Sequence, residues 1–474
     1  MGQGGALSTG LSPLWSRRQW LQGMAGGAAL GLGLPGCTPA PPRLEDLPGG
    51  FSGVALERGH ALRAFWQRLA QGLALPPPAV VHHAKVVIAG GGMAGLAAAR
   101  ALELAGVQGV ALLDTQQAMG GNSQGGSIAG LPCPLGAHYL PLPGDDAAEV
   151  QDWLEALGLR QRRAGRWQYD ERHLCHSPQE RLFWQGAWHE GLLPVDGVAP
   201  RTLEQYELFA RSVAQEMERA VFAMPSIRVW QREGRLPAAH AALDGQTMQA
   251  WLISQGIDDA QLIWYLEYCC RDDFGAGLAR VSAWAGIHYF ASRHGFSAPR
   301  RQDERTAEEA GDAVLTWPQG NGWLSQQLVA GLGSTDLQTD CSVLSIAEGA
   351  DGVEIDVYHH GRQQHERWLA ARCVVALPSF IAARVVRDAP DFLRAVAGRL
   401  DWAPWLVANI HLQQPLADRP GADPAWDNVL FADPNAGGLG YVDAGHQRLD
   451  RLTPRPTVLS YYQALGDWPD GRAQ

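Results

Sequence analysis

The clearest chemistry in this chain is carried by a few glycines and one acid. Residues 85–106 read KVVIAGGGMAGLAAARALELAG. Gly90, Gly92 and Gly95 form GxGxxG, with Gly91, Met93 and Ala94 in the spaces between them. These residue types suit the pyrophosphate of a dinucleotide. Gly90 permits a tight turn, Gly92 lets the backbone approach the ligand, and Gly95 lets a helix pack close on a strand. Asp114 follows about 20 residues later, where an acid grips ribose hydroxyls.

The elements that must position these residues are legible nearby. KVVIA is a short apolar run of the kind that forms a buried parallel strand. LAAARALELAG is a helix whose N-terminal amides face the pyrophosphate, and Gly106 ends it. VALLD is the next strand, closing at Asp114. A lone GxGxxG is weak evidence; strand, helix, strand and acid in order are specific. The expected class is α/β.

Bulk properties narrow the partners. At 474 residues the chain is long enough for two or three domains. A formal net charge of -11 argues against a nucleic-acid partner, which needs a basic face. Lys85 is the only lysine, so no other lysine is available for catalysis. The cysteines, at 37, 133, 175, 269, 270, 341 and 373, include no CxxC pair, which argues against zinc or thioredoxin-like sites; no metal is expected. Most are expected to be buried free thiols.

The beginning of the chain reads as an address. Arg17 and Arg18 precede an apolar run from Leu21 to Leu34. At about 14 residues it is shorter than the ~20 of a membrane span, and it resembles a twin-arginine export signal. The partner implied is the twin-arginine export machinery. Leu34 to Cys37, LPGC, resembles a lipobox in which Cys37 carries a lipid anchor; an ordinary cleavage site is the other reading. The expected location is the periplasm or cell envelope, with membrane anchoring through Cys37 in the first case.

DTQQAMGGNSQGG, just after the acid, adds Gly120 and Gly121. Here the sequence resembles the flavin amine oxidase superfamily, in which a double glycine passes the FAD diphosphate. The resemblance implies FAD as cofactor, with Asn122 in place of the family's flanking arginine. It implies that Gly136 and Ala137 of PLGAHYLPLP lie near the flavin ring, with His138 and Tyr139 beside them; a loop histidine hydrogen-bonded to backbone is the other reading of His138. It matches Val343 to the valine whose backbone meets the adenine side. The expected fold is a Rossmann-like FAD-binding domain with an inserted mixed α+β substrate domain. The divisions expected are 1–37 signal with a lipobox-like end, 38–84 tether and helical arm, 85–145 first FAD-binding part, 146–311 mainly helical substrate domain, 312–384 second FAD-binding part, and 385–474 substrate-domain sheet. The family's last segment, which meets the flavin ring, is not found in this sheet, and the C-terminal end is expected to be incomplete.

The resemblance implies oxidation of an amine or another activated C–H by hydride transfer to flavin. Asp272 and Asp273, after Arg271, are candidates to hold a cationic substrate; a structural ion pair is the other reading. Tyr289 and Trp317 are candidates to stack near the flavin, or core residues. The family's lysine near the flavin nitrogen is absent. Two other functions stay open: a desaturase or isomerase-like flavoenzyme on an apolar substrate, whose mark is an apolar tunnel without an acidic cage, and a truncated noncatalytic flavoprotein.

Overall fold

The computed structural model describes residues 47–53, 55–72, 75–300, 313–414, 416–431, 438–448 and 456–467. The stretch with Arg17, Arg18 and Cys37 lies outside them. Contacts divide the chain into two units, 1–51 and 52–474. The described part of the first, 47–51, is irregular. All elements below belong to the second.

That unit opens with α1 (Leu56–Ala70), β1 (Val80–Ala89), α2 (Met93–Leu104) and β2 (Val110–Leu113). The ribbon β3 (Gly125–Ile128) and β4 (Leu131–Pro134) follows, then β5 (Tyr139–Pro141) and α3 (Ala148–Ala156). Two hairpins come next, β6 (Arg160–Arg163) with β7 (Arg166–Tyr169) and β8 (Glu180–Trp184) with β9 (Ala187–Glu190). The helical block is α4 (Pro200–Arg219), α5 (Ile227–Glu233), α6 (Ala238–Asp244), α7 (Met248–Ser254), α8 (Ala260–Phe274) and α9 (Ala283–Ala291). The chain returns through β10 (Val314–Thr316), α10 (Gly322–Gly331) and β11 (Asp336–Gln338) to a meander of β12 (Cys341–Gly349), β13 (Gly352–His359) and β14 (Gln364–Val375). It ends with α11 (Ser379–Val385), α12 (Asp391–Arg399), β15 (Trp405–Leu412), β16 (Asp427–Leu430), β17 (Gly438–Asp443) and β18 (Thr457–Ala464).

Two six-stranded sheets organise these elements. The first has the order β11-β2-β1-β14-β13-β12 and is parallel from β11 to β14. Val86 to Ala89 and Val110 to Leu113 are buried without alternation, because helices and the meander cover both faces. The first strand begins at Val80, before Lys85. Residues 80–84 are drawn into the sheet by parallel pairing with 366–370 of the long strand β14. Lys85 is exposed in the middle of β1, just before the buried run that leads into the glycines, and its amide donates to Gly109 O (2.7 Å).

The second sheet has the order β15-β18-β17-β16-β8-β9. The stretch expected to be mainly helical therefore also supplies two strands, β8 pairing in parallel with β16. The helical block packs on this sheet through Tyr206, Phe209, Met248, Trp251 and Ile287. Side chains fix where its helices start. Thr247 Oγ1 accepts from Ala250 N, Asp259 from Gln261 N and Leu262 N, and Ser282 Oγ from Ala285 N. Cys133, Cys269, Cys270 and Cys341 are buried free thiols; Cys175 and Cys373 are free and half-buried. Among the described residues no helix is long and apolar enough to cross a membrane.

Gly95 sets the spacing of α2 on β1. A Cβ there would stand 1.8 Å from Gly90 O. Gly95→Ala should therefore cost about 1–3 kcal/mol or more through forced separation of helix and strand. Gly59, in α1, has nothing within 4 Å of a Cβ, so Gly59→Ala should instead stabilise by roughly 0.5–1 kcal/mol. Thermal unfolding of the two variants checks both signs; equal effects would refute the packing argument.

Candidate functional site

The cradle lies where β1 turns into α2. Gly90 has φ +107, and a Cβ there would meet Ala376 O at 2.5 Å. The turn is thus closed to any side chain. Gly120 N–H donates to Gly91 O (2.8 Å), and Gly92 bridges Gly120 in parallel. The two glycine stretches lie side by side, and Gly121, at φ +58, places its own Cβ direction 3.1 Å from Gly92 Cα. A Cβ on Gly92 would meet only Gly121 Cα, at 3.8 Å. Gly92 therefore faces open space, whereas Gly90 faces the Ala376 backbone and Gly91 the Met119 and Asp114 side chains. It is also the N-cap of α2, with no side-chain cap and no acid in the first turn, the turn of Met93, Ala94 and Gly95. A bare helix N-terminus beside an open glycine fits a diphosphate.

Asp114 ends β2 and ties the turn together. Its Oδ2 accepts from Gly91 N and its Oδ1 from Gln116 N, each at 2.7 Å. Burial pushes its pKa up, while the two amides and the Arg58 charge pull it down. A carboxylate has about four lone-pair sites, so two amide bonds leave capacity for ribose hydroxyls. Val343 is 5% exposed on β12, where the pairing register with β13 shifts between Val343 and Ser345.

From the cradle the chain passes to the segment 134–139, and nearly every carbonyl there is held. Pro134 O accepts from Asn409 Nδ2 (2.8 Å) and Gly136 O from the Tyr462 hydroxyl (2.9 Å). Ala137 O accepts from Asn321 N (2.9 Å), His138 O from Thr316 Oγ1 (3.2 Å) and Tyr139 O from Asn321 Nδ2 (2.8 Å). Ala137 N donates to Asn122 O (2.9 Å), and a Cβ on Gly136 would strike that same oxygen at 2.2 Å. Asn122 therefore meets this segment through its backbone. The second sheet, through β15 and β18, holds one part of the segment, and β10 with the turn before α10 holds the other.

Beyond the segment lies a cluster of aromatic and acidic side chains. The His138 ring lies 4.3 Å from Tyr462, 5.1 Å from Tyr139 and 5.4 Å from Trp426. The Tyr139 hydroxyl donates to Asp272 Oδ2 (3.1 Å), and the Tyr268 hydroxyl donates to Asp427 Oδ2 (3.0 Å). Tyr268 and Asp272 stand one turn apart on α8, so one face of that helix reaches both partners. Asp427 is the register neighbour of Glu180 across the β16–β8 pair, which sets two carboxylates side by side. Asp273 ion-pairs with Arg293 (3.4 Å), whose guanidinium lies 4.0 Å over the Tyr289 ring.

The electrostatics follow from this crowding. Burial and the Asp273 charge raise the Asp272 carboxyl to about 6. Burial, Asp272 and Glu180 hold Asp427 well above the usual carboxylate range. Burial pushes His138 down to about 3, so at neutral pH it is an uncharged wall, not a proton donor. Tyr139, Tyr268, Tyr289 and Tyr462 are all raised well above the ordinary phenol value, burial being the largest cause, and stay protonated. Yet His138, Tyr139, Asp272, Tyr289 and Asp427 keep solvent-accessible surface. Groups both deeply desolvated and partly accessible are of the kind that line a ligand site.

The structure sets His138 against Tyr139 and Tyr139 against Asp272, and Tyr139 and Asp272 are among the groups that raise the Tyr289 phenol after burial. Arg271 turns away, to Glu267 (2.6 Å) and Asp467 (3.1 Å), as a structural ion pair. Trp317 is 4% exposed and stacks on Trp323 at 5.0 Å, in the core behind the first sheet. Sequence reasoning missed Glu180, Tyr268, Trp426, Asp427 and Tyr462. The four-residue spacing of Tyr268 and Asp272 was the one local signal available.

Comparison with known proteins gives the same picture. The family described as flavin-containing amine oxidoreductase matches residues 93–455. Putrescine oxidase, solved with putrescine bound, aligns at 16% identity and TM-score 0.57, covering 81% of this chain and 76% of that one. Cyclohexylamine oxidase from Brevibacterium oxydans IH-35A aligns at 17% and 0.54, covering 80% and 75%. A fatty acid isomerase from P. acnes, producing CLA, aligns at 15% and 0.52, covering 82% and 79%. At such identities the likeness is one of fold. The comparison with proteins of curated function gives no match. Since the family match spans most of the chain and takes in this cluster as well as the start of the cradle helix, the protein belongs to the flavin-containing amine oxidoreductase family, and its cofactor is FAD.

Proposed function

We propose that this flavoenzyme is exported and oxidises an amine whose cationic head is held in this cluster by Asp272 and Asp427. The observation that carries this reading is the set of carboxylates behind the aromatic wall of His138, Tyr139, Trp426 and Tyr462. A wholly apolar substrate would leave these acids desolvated and unpaired, which is costly. An ammonium head compensates them, and aromatic faces favour a cation further. The cradle of Gly90, Gly92, Gly95, Gly120 and Gly121, with Asp114, would hold FAD, and the segment 134–139 would border its ring. Bound there, FAD supplies the hydride acceptor for the C–H next to nitrogen.

The residues divide the work. Asp272, ionised above about 6, binds the ammonium head. Tyr139, a phenol throughout, fixes the Asp272 carboxylate by donating to Oδ2. His138 and Tyr462 exclude water beside the segment that borders the ring. Arg293, seated over the Tyr289 ring, ion-pairs with Asp273 at the far side, which leaves Asp272 as the acid beside the wall.

Steady-state kinetics with simple amines test the reading. Asp272→Asn should raise KM roughly tenfold to a hundredfold with a smaller loss in kcat, because a desolvated charge partner is removed. In the parent, amine affinity should fall as pH drops through about 6, where the Asp272 carboxylate takes up its proton. An unchanged KM in the variant, or turnover of apolar substrates alone, would reject the amine in favour of a desaturase or isomerase.

Stability should respond in the opposite sense. The unfolded chain ionises this aspartate near its ordinary value, below the folded value of about 6. The folded state is therefore penalised as pH rises from about 4, and fully so above about 6. Asp272→Asn should raise Tm by a few degrees at pH 8 and give no gain below pH 4. A loss of Tm at pH 8 would contradict this.

Export rests on Arg17, Arg18 and the LPGC stretch ending at Cys37. Replacing both arginines by lysine should leave the protein in the cytoplasm, and Cys37→Ala should release it from the membrane fraction. Fractionation of cells expressing each variant reads the two outcomes separately.

A further inference from the structure

We infer that the N-terminal arm is part of the cofactor site: α1 latches the rim of the dinucleotide cradle through Arg58, and this contact governs how fast FAD leaves. The inference rests on the cofactor of the family and is independent of the amine reading.

The rim has two halves. One is the turn 114–116 after β2, where the acid meets the ribose of a bound dinucleotide. The other is the turn 340–342 that enters β12. They are stitched together by Asp340 N to Gln116 O (3.0 Å) and Cys341 N to Asp114 O (2.8 Å). The Ser342 hydroxyl adds a bond to Thr115 Oγ1 (3.3 Å). Arg58 spans both halves. Its Nη1 donates to Thr115 O (2.5 Å), and its Nη2 ion-pairs with the Asp340 carboxylate. At the same place Ala55 N, the N-cap amide of α1, donates to Gln116 Oε1 (3.3 Å). Gln116 N in turn holds Asp114 Oδ1 (2.7 Å). The arm thus touches each of the residues that follow the ribose-binding acid.

The remaining hold on the arm is light. No residue of α1 is buried. Its half-buried side, Leu62, Phe65, Trp66 and Leu69, is modest, and of these Trp66 packs on the core between β12 and β14. An element with few buried contacts opens readily. By contrast the Arg58 side chain is only 11% exposed, and its bonds are charge-assisted. The strongest attachment of a weakly held helix therefore falls on the cofactor rim. Opening the arm removes the arginine that joins the two halves, and FAD binding holds the same two halves together. The two events are linked: bound FAD keeps the arm closed, and the closed arm slows release.

The test needs no substrate. The holoprotein is diluted, and FAD release is followed by recovery of free flavin fluorescence. Arg58→Ala should release FAD roughly tenfold faster or more, and Arg58→Lys should fall between, since it keeps the charge and loses the two-armed geometry. Trp66→Ala, which loosens the arm from its other end, should shift release in the same direction. Release from Arg58→Ala within about twofold of the parent, even with a lowered Tm, would make α1 a strut and overturn the inference. Hydrogen exchange on the unaltered chain provides a second arm should the variants not fold. The α1 amides should be more protected with FAD bound than without it, and equal protection would also overturn it.

Discussion

The clamp on residues 134–139 is the constraint on which the site depends. Backbone carbonyls are obligatory acceptors, and a segment running from the end of β4 to the start of β5 has no continuous ladder to satisfy them. Here the partners come from β10, β15, β18 and the turn before α10. Each donor is itself fixed by a sheet or a helix start. Asn409, for example, receives the Ser460 hydroxyl on Oδ1 at 2.5 Å while it gives its Nδ2 to Pro134. A rigid path between cradle and cluster follows, so the two ends of the site cannot drift independently.

Against this rigid frame the site gathers acids, and the Arg293 charge relieves Asp272 and Asp273 only in part. Asp427 and Glu180 are neighbours across a strand pair, and Asp272 adds a third charge to their field. Nothing in folding rewards such crowding. The phenols of Tyr139 and Tyr268 satisfy one oxygen each and cannot neutralise the group they face. Proteins retain such arrangements at sites where a ligand brings the missing charge. The cold side of the same logic is His138, whose burial strips it of charge and leaves it an aromatic surface.

How much of this could be read from the sequence depended on distance along the chain. The cradle was legible because its parts are local: the glycines, the helix they open and Asp114 lie within one crossover, and only glycine fits where a Cβ would stand 1.8 Å from a carbonyl oxygen. The pairing of Tyr139 with Asp272 was half legible, since both residues were candidates but nothing in the sequence joins positions 133 apart. Asp427 and Glu180 were not legible at all. They meet only because β8 pairs in parallel with β16, and that register is set by packing under the helical block. The early start of β1 escaped for a similar reason, since residues 80–84 are strand only in the presence of β14.

The solitary lysine has a practical corollary. Lys85 is exposed midway along β1 beside Gly109, upstream of the glycine turn. Amine-selective reagents, the amino terminus aside, therefore find a single address on the whole polypeptide. A surface or dye coupled there would sit behind the cradle rather than across its mouth. Every molecule would be tethered in one orientation, with its cofactor side turned outward, without a residue having to be engineered in.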